Sequence, residues 1–148
     1  MSSSTSNSRA GIDTITPSRS PSSTWTTSRV NDEHGHVAGD EALRVIASLM
    51  CEQVRRTDIA GRLGGDEFGI LLPETDMDAA GEVLERVRSS VAKLAAQKRW
   101  RTSTSIGAVT VPGTSCDATA EEVIRRADGA MYVVKAAGKD SVQIEPFA

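Results

Sequence analysis

The chain has 148 residues, of which 39% are apolar and 25% charged, with a formal net charge of −3. That length suits one domain core rather than two. The charge gives no broad attraction to nucleic acid or to an anionic membrane, so an anionic ligand must be held locally.

No apolar run approaches the ~20 residues of a membrane span, and the Ser-rich N-terminus lacks the apolar centre of a signal peptide, so the chain reads as cytoplasmic, with no membrane segment. Cys51 and Cys116 stand far apart and outside any CxxC spacing. They are expected as buried free thiols rather than a disulfide or zinc site.

Residues 1–28 are dominated by Ser and Thr with Arg and Pro and carry almost no apolar periodicity. They read as an irregular, disordered segment, and the domain is expected over residues 29–148. In GDEALRVIASLMCEQVRR, Leu43, Ile46, Leu49, Met50 and Val54 recur at helical spacing behind Asp40 and Glu41. Acids near the positive end of the dipole support a helix there.

DIAGRLGGDEFGILLPE contains two short runs, residues 59–63 and 66–72, around Gly64-Gly65, which predicts a β-hairpin. A second helix is predicted from near Asp76, with Ala80, Val83, Leu84, Val87, Val91, Leu94 and Ala95 on one face. TSTSIGAVTV alternates and is rich in β-branched residues, so it reads as a strand. Thr119 with Glu122 forms a capping box ahead of a third helix, and SVQIEPF supplies a last strand. The mixture predicts an α+β fold, a mostly antiparallel central sheet flanked by helices.

The hairpin tip concentrates the chemistry. Glycines leave backbone N–H groups open to phosphate oxygens, and Asp66 and Glu67 put hard carboxylate oxygens beside them, the donors that Mg²⁺ or Mn²⁺ prefers. Alone, such a tip reads more readily as a solvated acidic turn. Upstream, Asn31 and Asp40 flank a Gly-containing turn nine positions apart, and amide and carboxylate groups suit the hydrogen-bonding edge of guanine.

VNDEHGHVAGDEALR, RLGGDEFGILLPE, SIGAV and RADGAMYVVKAAGKDSV occur in the order and spacing of the GGDEF family, the diguanylate cyclases, and the chain resembles that family over roughly residues 30–145. The resemblance implies a fold related to nucleotidyl cyclases and polymerase palms. It further implies that two GTP molecules, held by two antiparallel domains of a homodimer, are joined into cyclic di-GMP with release of pyrophosphate, and that Mg²⁺ or Mn²⁺ stabilises the developing charge.

By resemblance, Asn31 and Asp40 bind guanine and Gly64 and Gly65 admit the phosphates. Asp66 binds metal and assists deprotonation, with Glu67 as a further acidic partner. Lys135 and Lys139 hold the terminal phosphates, although a solvated helix end reads equally well for them. Arg55 and Asp58 match the family's RxxD site for cyclic di-GMP as inhibitory product, joined by Arg86 from the next helix. A helix-end salt bridge is the lesser alternative for so short a motif as RxxD. His34 and His36 read as turn residues, and Trp100 and Tyr132 as packing groups.

One part of the family pattern is missing. The family's first strand reads close to D-x-D-x-F-K-x-I-N-D, whose first Asp is a metal ligand. Counting back from Asn31 places that Asp at Ser23 and the second acid at Trp25. Trp is encoded only by TGG and Thr only by ACN, so reading the gene two bases later forces an Asp codon across Trp25-Thr26, and the neighbouring codons permit D-L-D-H-F.

This suggests a frameshift or frame error near Ser28-Arg29, and it leaves three readings: a diguanylate cyclase domain compromised at its N-terminus, a non-catalytic cyclic di-GMP or GTP binding module, or a chain that does not fold stably. Resequencing the locus is expected to find D-x-D in the shifted frame over Ser23–Ser28; its absence there would overturn the frameshift account.

Overall fold

The computed structural model describes residues 22–32, 39–113 and 118–147. In chain order the elements are β1 (Ser23–Asp32), α1 (Asp40–Glu52), β2 (Ile59–Gly64), β3 (Glu67–Leu72), α2 (Met77–Lys98), β4 (Thr102–Val111), α3 (Ala120–Ala136) and β5 (Ser141–Pro146). The strands form one sheet in the order β2-β3-β1-β4-β5. Three of its pairings are antiparallel, and the edge pair β4 and β5 runs parallel with α3 as the crossover. This is the α+β arrangement that the mixed helical and strand patterns predict.

The helices form where the apolar periodicity puts them, and local chemistry sets their ends. Asp76 caps α2, its carboxylate accepting from the Ala79 N–H at 2.9 Å. The helix stops at Arg99, which turns left-handed at φ +60, while the Trp100 N–H closes back on the Ala95 carbonyl at 2.8 Å. Thr119 caps α3 through the Glu122 N–H at 3.2 Å.

Leu43, Ile46 and Met50 of α1 and Leu84, Val87 and Val91 of α2 pack with Phe68, Ile70 and Ile106 on one face of the sheet. Trp25, Leu71 and Val109 pack with Val123 and Ala127 of α3 on the other. That second helix approaches very closely at Gly107, where a Cβ would lie 2.1 Å from the Met131 nitrogen, so the strand needs glycine there.

The expected boundary at residue 28 is not a structural one. Ser23–Ser28, read from composition as irregular, are the first six residues of β1, the central strand. The register pairs Trp25 with Leu71 on one side and Val109 on the other. β-branched Thr and aromatic Trp suit a pleated strand, and two neighbouring strands satisfy its backbone on both edges, so tertiary pairing outweighs the low hydrophobicity.

The polar composition remains visible in the packing. Thr24 Oγ1 donates to the Thr75 carbonyl at 3.0 Å and lies 2.8 Å from Thr110 Oγ1. Thr26 and Thr27 bury hydroxyls that find no hydrogen-bond partner among the described residues. An open groove of about 170 Å³ lies over Thr27, Leu63 and Gly69, with Ile124 of α3 as one wall.

Two packing expectations are corrected. Cys51 is exposed, its thiol donating to the Ala60 carbonyl of β2 at 3.5 Å from an open position, and Cys116 lies outside the described residues. Tyr132 is 72% exposed, pointing away from the face of α3 that carries Met131 and Val134, whereas Trp100 packs against the core as expected. His34 and His36 lie outside the described residues. Among the described residues no helix is long and apolar enough to cross a membrane.

An unsatisfied buried hydroxyl costs about 1–3 kcal/mol. Thr26→Val, which keeps the shape and removes the hydroxyl, should therefore raise the unfolding free energy by about 1–2 kcal/mol in urea denaturation. A drop in stability would show that the hydroxyl is bonded in solution.

Candidate functional site

The hairpin joins the sheet at its tip. Gly64 is the last residue of β2, opposite Glu67, and the register shifts between Arg62 and Gly64. Gly65 turns the chain at φ +53, a conformation that favours glycine, and open space surrounds the Cβ positions of both glycines. The Val30 N–H donates to the Asp66 carbonyl at 3.0 Å, which fastens the turn to β1.

Two arginines that sequence reasoning passed over organise the acids at this end. Arg29 lies opposite Glu67 in the β1–β3 register. Its guanidinium is hydrogen-bonded to the Glu67 carboxylate, and its Nε stands 3.8 Å from Asp66 Oδ1. Arg62 reaches across from β2 and donates to the Gly65 carbonyl and to Asp40 Oδ1, each at 2.7 Å. Arg44, one turn along α1, pairs with the other Asp40 oxygen at 3.1 Å. The hydrogen bond from Arg62, then the charge of Arg44, hold the Asp40 carboxyl below its ordinary value of 3.8.

The expected residues therefore gather in part. Asp40, Gly64, Gly65, Asp66 and Glu67 meet at one end of the sheet, and the backbone of Asn31 lies in β1 two residues beyond Arg29. Lys139 precedes β5, whose Ser141 is level with Ser105, which is itself opposite Arg29. It thus shares that end of the sheet, but β1 and β4 separate it from the hairpin. Lys135 sits in the last turn of α3, and no hydrogen bond or ion pair joins either lysine to the hairpin among the described residues.

Ser23, the position of the family's metal Asp by counting, is elsewhere. It pairs with Val111, six residues up the strand from Arg29, which at 3.3–3.4 Å per residue is roughly 20 Å. In this register the β1 residue facing Asp66 and Glu67 is a cation. Among the described residues no three His, Cys, Asp or Glu side chains converge, and the two hairpin carboxylates are already neutralised in part by Arg29. The residues present do not fit the divalent cation that the sequence resemblance implies.

A second cluster lies at the far end of β2, roughly 20 Å from Gly64 by strand rise. Arg55 Nη2 donates to Asp58 Oδ1 at 2.9 Å and Arg55 Nε to Asp58 Oδ2 at 3.1 Å, a bidentate grip. The same guanidinium donates to the Pro73 carbonyl at 3.0 Å and Thr75 Oγ1 at 2.7 Å. The Asp58 side chain is fully buried, while that of Arg55 remains 55% exposed. The hydrogen bonds that Arg55 donates to the Asp58 carboxylate raise the Arg55 pKa further. Arg86 of α2 donates to the Gln53 carbonyl at 2.9 Å, at the end of α1 two residues before Arg55. The three residues are thus gathered, with the helix-end salt bridge formed.

The signal for Arg29 and Arg62 was present, since both stand within a few residues of the motifs. Their partners are fixed by cross-strand register, which a linear pattern does not carry.

The family described as "Diguanylate cyclase, GGDEF domain" matches residues 27–141. Diguanylate cyclase DgcP of Pseudomonas aeruginosa is 34% identical over 116 residues, covering 78% of this chain and 17% of its own length. Diguanylate cyclase DgcM of Escherichia coli K12 is 36% identical over 113 residues, 76% of this chain and 27% of its own. The chain thus spans only a fraction of these relatives.

Diguanylate cyclase SiaD of Pseudomonas aeruginosa, solved with its activator SiaC, superposes with a TM-score of 0.71 at 35% identity, over 83% of this chain and 50% of that one. A microbial GGDEF domain solved for its interaction with bis-(3′,5′)-cyclic di-GMP gives a TM-score of 0.68 at 25% identity, over 96% and 85%.

In Arg62→Ala, the Asp40 carboxyl is expected to titrate closer to 3.8, read by NMR of the side-chain carboxyl; an unmoved titration would show that Arg62 does not hold it in solution.

Proposed function

Because the chain belongs to the GGDEF domain family, we propose that it is a diguanylate cyclase domain, a nucleotidyltransferase that joins two GTP into cyclic di-GMP and pyrophosphate, with that activity much reduced in the chain as written. The observation that carries the reduction is the pairing of Arg29 with Asp66 and Glu67, where the family's chemistry calls for an opposing carboxylate.

In this reading the guanine edge is met by Asn31 and by Asp40, whose carboxylate keeps acceptor lone pairs beyond those given to Arg62 and Arg44. The backbone at Gly64 and Gly65 faces open space, which leaves room for phosphate oxygens to approach. Asp66 serves in this reading as the acceptor of the proton from the attacking 3′-hydroxyl. Arg29 competes for that carboxylate by position, its Nε standing 3.8 Å from Asp66 Oδ1. Lys135 and Lys139 act on the terminal phosphates across the sheet end. Two such domains must meet for each hydroxyl to reach the other nucleotide, so the catalytic unit is a homodimer. The work belongs to a cytoplasmic second-messenger pathway.

A second reading is favoured by the Arg55 cluster: a cyclic di-GMP binding module. A guanidinium fixed by Asp58, Pro73 and Thr75 yet half exposed is pre-organised for a phosphate oxygen, and binding then costs little reordering. Arg86 adds a second cation at the same helix end.

One experiment weighs both. Purified chain incubated with GTP and Mg²⁺ or Mn²⁺ is analysed by chromatography for cyclic di-GMP, and cyclic di-GMP is titrated by calorimetry. Little product with measurable binding is expected, and Arg55→Ala should weaken that binding roughly tenfold by removing a charge-assisted contact. Rapid product formation would overturn the reduced-activity reading. Neither product nor binding, with a non-cooperative melt, would overturn both.

A further inference from the structure

Divalent cations in a phosphoryl-transfer site are held by carboxylates that have no competing counter-ion, with substrate phosphates completing the shell. The hairpin departs from this in three ways. Arg29 stands in register with Glu67, hydrogen-bonds its carboxylate, and lies 3.8 Å from Asp66. The backbone bond from Val30 to Asp66 fixes the spacing between the two strands at this point, so the guanidinium is delivered to the acids by the sheet itself. Asp40, the third acid at this end of the sheet, already holds Arg62 and Arg44.

We propose that Arg29 takes the place of the divalent cation at the hairpin acids, so that this domain keeps Asp66 and Glu67 compensated from within the sheet and excludes Mg²⁺ or Mn²⁺ from them. The side chains of Arg29, Asp66 and Glu67 are 34–44% exposed, so small ions can reach the acids, and the exclusion is electrostatic rather than steric. An entering dication meets an acid pair reduced from −2 to a net −1 and faces a guanidinium at contact distance, a like-charge interaction that opposes it. Two carboxylates without that arginine are the minimum from which a weak Mn²⁺ site can be built.

The inference concerns metal binding alone and is read without GTP, so failure of the cyclase reading leaves it standing. Free Mn²⁺ is followed by electron paramagnetic resonance as apo protein is titrated. The wild-type chain and its Asp66→Asn/Glu67→Gln variant should leave Mn²⁺ equally free, a comparison that needs no change at Arg29. Arg29→Gln, close in shape and neutral, should bind Mn²⁺ at least tenfold more tightly than wild type, and Arg29→Lys should not. Adding Asp66→Asn to Arg29→Gln should abolish the gained site.

Wild-type binding that disappears in the double acid variant would overturn the proposal. So would an Arg29→Gln protein that melts cooperatively yet binds no more Mn²⁺ than wild type.

Discussion

A strand at the centre of a five-stranded sheet must have its backbone satisfied on both edges, and here that strand is β1, paired with β3 over Thr24–Arg29 and with β4 over Ser23–Asp32. The pairing decides which residues of a Ser- and Thr-rich segment lie inside. It also decides which of them arrives at the hairpin tip. Sliding β1 by one residue would exchange its faces and send Arg29 away from Glu67. The core on either side, the delivery of Arg29 to the acids and the distance of Ser23 from them all follow from this single register.

The electrostatics of the sheet end follow next. Three carboxylates, Asp40, Asp66 and Glu67, stand at that end without closing on a common point, and each has an arginine against it. Exposed ion pairs of this kind add little to stability, typically about 0–1 kcal/mol each. Their effect is on the chemistry available: a carboxylate oxygen already held by a guanidinium is less available to a metal ion than a free one. At the other end of β2 the same residue types serve differently, because Asp58 is buried beneath an Arg55 that reaches solvent. There the acid orients the cation, and the cation is what a ligand would meet.

Much of the fold was legible in the sequence. The strand TSTSIGAVTV matches β4 residue for residue, and Asp76 and Thr119 are the caps of α2 and α3. Periodicity and capping are local, so a linear reading captures them. The hairpin was legible for the same reason, with the refinement that Gly64 ends β2 and only Gly65 takes the left-handed conformation. Strand β1 was not legible, because its composition says disorder and its stability comes from neighbours that lie more than thirty residues away in the chain. Tyr132 and Cys51 were misjudged because an apolar residue type on a helix need not lie on its buried face.

The sequence by itself determined the family, through four motifs in order, and with it the identity of the candidate acids, glycines and RxxD residues. It determined too that no acid stands at the family's first-strand position. Only the tertiary structure decided that Ser23–Ser28 fill the central strand all the same, and that the residue brought against Asp66 and Glu67 is Arg29. The physical reason is that identity and spacing are properties of the chain, whereas a counter-ion is a property of register, and register is set by backbone pairing between distant segments.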